Sequence, residues 1–210
     1  SDDSLESVNE ALESAKAQAM ALGAVKDLDD LRRVVRNSED ENEFTPNHTP
    51  EWEAAYTRLL DFTSAVAKEA EACGAIVGIE PVCRHTLNSP ELTRRLLDDV
   101  NSPNLRVILD LGNLISEEYV APEKQMEMLE RCIACFGDKV VALHLKDGFY
   151  NAEGKWENCP LGEGVMDWAH LLPRMRECFD SLCLTREGVW PGLAEQECRI
   201  MHDWAEGIAR

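Results

Sequence analysis

The chain has 210 residues, 44% of them hydrophobic and 29% charged, so a sizeable core can form and one domain over 1–210 is the default. A formal net charge of −19 argues against a nucleic-acid partner, whose phosphates need clustered Lys and Arg. No apolar run approaches the ~20 residues of a membrane span, so a cytoplasmic protein without a membrane partner is expected.

Leu5, Val8, Leu12, Ala15, Ala19 and Leu22 recur at helical spacing and predict a helix over 4–23, closed by Gly23. LRRVVRN (31–37) reads as a strand, and SEDENEFTPNH after it as a polar loop. Thr49 as N-cap and Pro50 at the first helical position open a long helix over 50–73, which Gly74 ends. Strand 75–80, helix 89–100 capped by Ser89, strand 105–110 and helix 122–136 follow. Strand 139–145, a loop to 165, helix 167–180, strand 182–187 and helix 193–208 complete the series. Strands interleaved with helices of this length imply parallel pairing through crossovers. Their near-continuous apolar runs suit strands covered on both faces.

A polar residue ends each of the four late strands: Glu80 in IVGIEP, Asp110 in RVILDLGN, His144 in VVALHLKDG and Glu187 in CLTREGV. In a parallel barrel all carboxyl ends of strands open on one face, so these residues should converge there. Three crowded carboxylates repel unless a cation sits among them, and mixed oxygen and nitrogen ligands suit Mn²⁺, Mg²⁺, Zn²⁺ or Co²⁺. Each residue alone has a plainer reading. Glu80 could be a loop charge, Asp110 a turn former before Leu-Gly-Asn, His144 a satisfied core histidine, and Glu187 one acid among its neighbours Glu195 and Glu197. Four such placements in strand order favour one shared metal site.

The expected fold is therefore α/β, a (β/α)8 TIM-type barrel. Such a barrel takes about 250 residues, and about 200 at the least. With five strands predicted, the first two or three βα units are expected to be absent from this chain, or supplied by another. An incomplete sheet exposes edges, so a homo-oligomer or a partner chain completing the barrel is expected.

On these motifs the sequence resembles the sugar phosphate isomerase/epimerase superfamily, the xylose isomerase-like barrels. The carriers are IEPVCR, LDLGNL, ALHLKDG, PLGEGVMDW and the strand ending in Glu187, from about residue 50 onward. The resemblance implies one divalent ion held by Glu80, Asp110, His144 and Glu187, with Mn²⁺ favoured and the two glutamates acting as an acid–base pair. It implies a small sugar or sugar phosphate as substrate, with Arg84, His85, Asn113 and Lys146 beside it. Asn113 stands where the ketose epimerases commonly keep a histidine, which loosens the tie to that branch and not to the metal site. A dehydratase acting on a keto-sugar or inosose, and an inactive barrel subunit, are the rival functions. An abasic-site endonuclease would need more histidines than five and a basic face.

Asp147 could orient a ligand or cap a loop. Trp156 and Trp168 could wall the pocket or pack in the core. His48, His170 and His202 read as surface or structural residues. The eight cysteines are scattered and read as reduced thiols, with Cys132 of the lone CxxC on the inner face of its helix.

Overall fold

A computed structural model describes residues 47–179, 183–190 and 192–206. The predicted helix 4–23 and strand 31–37 lie outside these residues. Two compact units are present, Ser1–Ala65 and Val66–Arg210. In the first, Thr49 Oγ1 accepts the Trp52 N–H at 3.2 Å and caps helix α1 (Pro50–Cys73), as its Ser/Thr-Pro signature requires. Trp52 and Tyr56, one helical turn apart, stack with ring centroids 5.1 Å apart.

The second unit holds β1 (Val77–Ile79), α2 (Pro90–Val100), β2 (Leu105–Asp110), the single turn α3 (Leu111–Leu114) and α4 (Pro122–Phe136). Next come β3 (Val140–Leu145), β4 (Asp147–Tyr150), β5 (Trp156–Cys159), α5 (Trp168–Cys178), β6 (Leu184–Arg186) and α6 (Ala194–Ala205). Strands β1-β2-β3-β6 form one sheet, every neighbouring pair parallel, with helices between successive strands. This is the βα alternation of a TIM-type barrel, and the element order expected from 75 onward is present.

The cause is visible locally. Ser89 Oγ accepts the Leu92 N–H at 3.3 Å and Pro90 starts α2, while Asn101 closes it in the left-handed region at φ 49°. In α4, Met128, Leu129, Cys132 and Phe136 fall on one helical face and are buried. They meet Leu105, Val107 and Leu109, the alternate residues of β2, together with Leu143, Leu145, Leu171, Leu172 and Met175. Cys132 is thus a core residue, and all eight cysteines are free thiols.

The pairing of β2 with β3 carries one irregularity. Val107 pairs with Val140, yet the next residue, Ile108, pairs with Ala142, so Val141 is supernumerary in β3. Such a bulge reverses which face the succeeding side chains take. Beyond it, Asp110 lies level with His144.

The stretch expected as a loop to 165 contains instead an antiparallel hairpin of β4 and β5. Asn151 Oδ1 accepts the N–H groups of Glu153 and Lys155 at 2.9 and 3.0 Å, and Gly154 sits at φ 71° to close the turn. Tyr150 and Trp156 face each other across the ladder with their rings edge to face at 5.3 Å. Among the described residues no helix is long and apolar enough to cross a membrane.

Candidate metal centre

Asp110 ends β2, His144 is the penultimate residue of β3, and Glu80 and Glu187 directly follow β1 and β6. Strand alternation puts residues two apart on one face. Gly78 and Ile108 share a face, because a Cβ on Gly78 would stand 2.7 Å from Ile108 Cγ1. Glu80 and Asp110, two residues further on each strand, follow them. Asp110 is level with His144, and His144 with Thr185, two residues before Glu187. One donor atom from each of Glu80, Asp110, His144 and Glu187 lies within 4.8 Å of the other three.

Lys146 is two residues past His144 and reaches the same cluster. Its Nζ is 3.2 Å from Asp110 Oδ2 and 2.9 Å from Glu187 Oε2, while His144 Nδ1 is 3.2 Å from Glu80 Oε2. Burial works against the charge of Lys146, but Asp110 and Glu187 outweigh it and hold the ammonium's pKa above its usual value. Asp110 is fully buried, and burial pushes its carboxyl up to about 7 against the pull of Lys146, with the nearby Glu187 carboxylate adding to the rise. Partial burial opposes ionisation of Glu187, yet hydrogen bonds with Lys146 and Asp110 prevail and keep its carboxyl below the usual range.

The donor set fits a divalent ion. Asp110 Oδ2 and His144 Nδ1 are buried without a well-formed hydrogen bond, despite charged neighbours at 3.2 Å. Ligands bonded at about 2.0–2.2 Å stand up to about 4.4 Å apart, so the observed spread asks for only a small closure. Three carboxylates and one imidazole are matched by a single ammonium, which leaves the cluster short of positive charge.

The plainer reading of Asp110 proves compatible with the chemical one. Its Oδ1 accepts the Asn113 N–H at 3.1 Å and caps α3, and its Oδ2 faces Lys146. Asn113 donates its side-chain amide to Glu80 Oε1, and its carbonyl accepts the Cys83 N–H at 2.8 Å, so it ties Glu80 to the end of β2. Arg84 is exposed and donates Nη2 to the Gly154 carbonyl at 3.0 Å, at the hairpin tip. His85 is exposed in a turn closed by its own N–H on Val82 O, and no hydrogen bond joins its side chain to the cluster among the described residues. His170 and His202 have exposed side chains beside Asp167 and Asp203.

Asp147 is a loop clamp. Its buried carboxylate accepts the N–H groups of Gly148, Gly162, Gly164 and Met166 at 2.9, 2.8, 3.2 and 3.1 Å. A Cβ on Gly164 would stand 2.1 Å from Asp147 Oδ1 and 2.4 Å from Gly148 O. Gly164→Ala is therefore expected to cost at least about 1–3 kcal/mol, read as a lower urea midpoint. Trp168, one of the two flanking tryptophans, is buried in the core and donates its indole N–H to Lys146 O at 2.9 Å.

The residues that the sequence did not single out are Arg186 and its partner Glu197. Arg186 Nε is 2.9 Å from Glu197 Oε2, and both side chains are almost wholly buried. Arg186 also donates to the carbonyls of Cys159 at 3.0 Å, Leu145 at 3.3 Å and Glu187. Glu197 takes the Leu161 N–H at 3.0 Å as well. The pair anchors the backbone that presents Glu187. The signal was an arginine inside a strand next to a core-facing run, which demands a buried acid.

No curated protein matches the chain by sequence. Among solved structures it is similar to the IOLI protein with a bound zinc atom, at 18% identity and TM-score 0.57 over 77% of this chain and 59% of that one. A xylose isomerase-like TIM barrel protein from Mycobacterium smegmatis in complex with magnesium matches at 18% identity and TM-score 0.55, over 88% and 68%. The 3-keto-D-glucoside 4-epimerase from E. coli matches at 17% identity and TM-score 0.53, over 78% and 56%. The chain thus spans little more than half the length of two of these structures, and at such identities the likeness concerns the fold. The family model described as xylose isomerase-like TIM barrel matches residues 5–202, nearly the whole sequence, and the chain belongs to that family.

Proposed function

We propose that Glu80, Asp110, His144 and Glu187 hold one divalent ion, and that the protein isomerises or epimerises a small sugar by moving a proton beside a carbonyl. The convergence of these four donors within 4.8 Å, at the carboxyl ends of parallel strands, carries the reading. Structures similar to this one contain zinc or magnesium, and one is a sugar epimerase. Mn²⁺ is the favoured ion, because three oxygens and one imidazole suit a borderline cation, and Mg²⁺, Co²⁺ and Zn²⁺ share much of that preference.

When bound, the ion supplies positive charge that lowers the energy of the enediolate left after proton removal. The chain's own groups do the rest. Glu80 and Glu187 come from opposite ends of the four-strand order, so they can serve two sides of a substrate, one taking the proton from carbon and the other returning it. Lys146, beside Glu187 and Asp110, can donate a hydrogen bond to a substrate oxygen. Asn113 fixes the carboxylate plane of Glu80.

The test is Mn²⁺-reconstituted protein incubated with ketoses in D₂O, read by NMR for deuterium at the carbon next to the carbonyl. Exchange is expected with the parent chain, and Glu80→Gln and Glu187→Gln should each lose at least about 100-fold of it. Exchange accompanied by loss of water would assign a dehydratase instead. Protein that takes up no metal and exchanges no proton overturns the reading.

Metal uptake should also depend on pH in a definite direction. With its pKa near 7, Asp110 carries a proton below that pH in the metal-free site, and a cation must displace it. Affinity is expected to fall up to about tenfold per pH unit below 7 and to level off above it. Calorimetric titrations in buffers of different ionisation enthalpy would register the released proton.

A further inference from the structure

We infer that the site takes an uncharged sugar or polyol, not a sugar phosphate; this deepens the proposed function and rests on it. Parallel barrels hold phosphate esters on the late βα loops, where backbone N–H groups converge and a helix N-terminus adds positive potential. One of the two late turns here, Leu161–Asp167 ahead of α5, has its donors already committed. Gly162, Gly164 and Met166 aim their N–H groups at the Asp147 carboxylate, at 2.8, 3.2 and 3.1 Å. The N–H groups of Glu163, Val165 and Asp167 go to Pro160 O, Gly148 O and Gln125 Oε1, at 3.1, 2.8 and 2.9 Å. An internal anion therefore fills the place an external one would take. Gly164 is what admits it, since a side chain there would collide with that carboxylate.

The two cations packed at the cluster and behind it, Lys146 and Arg186, are neutralised in the same way. Lys146 lies between Asp110 and Glu187, and Arg186 is neutralised by buried Glu197. Arg84 is exposed at the hairpin tip and ties one nitrogen to Gly154 O. With a net charge of −19, the field of the protein also opposes the approach of a dianion.

The hairpin residue nearest Glu187's neighbour is an uncharged amide. The Trp156 indole is held edge to face against Tyr150 and donates its N–H to Asn158 Oδ1 at 2.8 Å. The Asn158 amide nitrogen lies 3.7 Å from where a side chain on Gly188 would begin, beside the residue that follows Glu187. A primary amide is a partner that sugar hydroxyls use.

Ligand-observed NMR with the Mg²⁺-loaded full chain would compare D-fructose, D-xylulose and D-ribulose with their terminal phosphate esters, alongside deuterium exchange for each. At least one free ketose is expected to bind about tenfold or more tightly than its ester. An ester that binds as tightly as its free sugar, or more so, overturns this inference and leaves the proposed isomerase intact if exchange is seen. Failure of every free sugar and every ester to bind overturns both.

Discussion

Asp110→Asn is expected to weaken divalent-metal binding on the order of 100-fold while the protein remains folded. The substitution is nearly isosteric, and an amide oxygen can still accept the Asn113 N–H that caps α3. What disappears is the buried negative charge facing Lys146. Among the described residues the ammonium then keeps Glu187 as its close acid, and the cluster loses the oxygen best placed to meet an ion. Calorimetry with Mn²⁺ measures the affinity, and the thermal midpoint with and without metal separates a binding defect from a folding one. His85→Ala, outside the cluster, should leave both unchanged. Parent-like affinity in Asp110→Asn would remove this carboxylate from the ligand set.

The largest stability effect belongs to a pair outside that cluster. Glu197→Ala leaves the Arg186 guanidinium buried without its acid, and breaking such a pair from one side costs about 3–5 kcal/mol. The Leu161 N–H loses its acceptor in the same step. Urea denaturation should therefore show a midpoint shift far beyond that of an exposed pair such as Lys124–Glu127, whose attraction solvent screens. The double variant Arg186→Met/Glu197→Leu is expected to recover most of the loss, because two apolar side chains of similar volume need no compensation. Because Arg186 also grips the Glu187 carbonyl, Glu197→Ala should lower metal affinity too.

The cluster was legible in the sequence because each member interrupts an apolar run at its end, where chemistry and not packing selects the residue. Two helices were legible from their caps: Thr49-Pro50 opens α1 and Ser89-Pro90 opens α2. Strand limits were less so. Residues 75–80 read as one strand, but pairing covers only Val77–Ile79, and Ile76 is 56% exposed. The hairpin went unread because its segment, DGFYNAEGKWENC, has no apolar run. Its order comes from an aromatic pair across the ladder and an asparagine turn, both of which need three dimensions to recognise. Asp147 could be read two ways in sequence, and only the converging N–H groups decide for the loop. Arg186 and Glu197 are eleven residues apart on a strand and a helix, and nothing in that spacing announces that water is excluded between them.

A single surplus valine has consequences out of proportion to its size. Val141 adds one step to β3, and a β-strand counts in twos. Pair the strands without that extra step, Ile108 with Val141, and the segment after it would change phase: Leu143 would stand level with Asp110, while the imidazole of His144 would swing into the oily layer beneath the helices. Composition, charge and every loop would be unaltered, yet the four-residue constellation would lose its only nitrogen. Residues added in a connection shift nothing of this kind, whereas an odd number added inside a strand does.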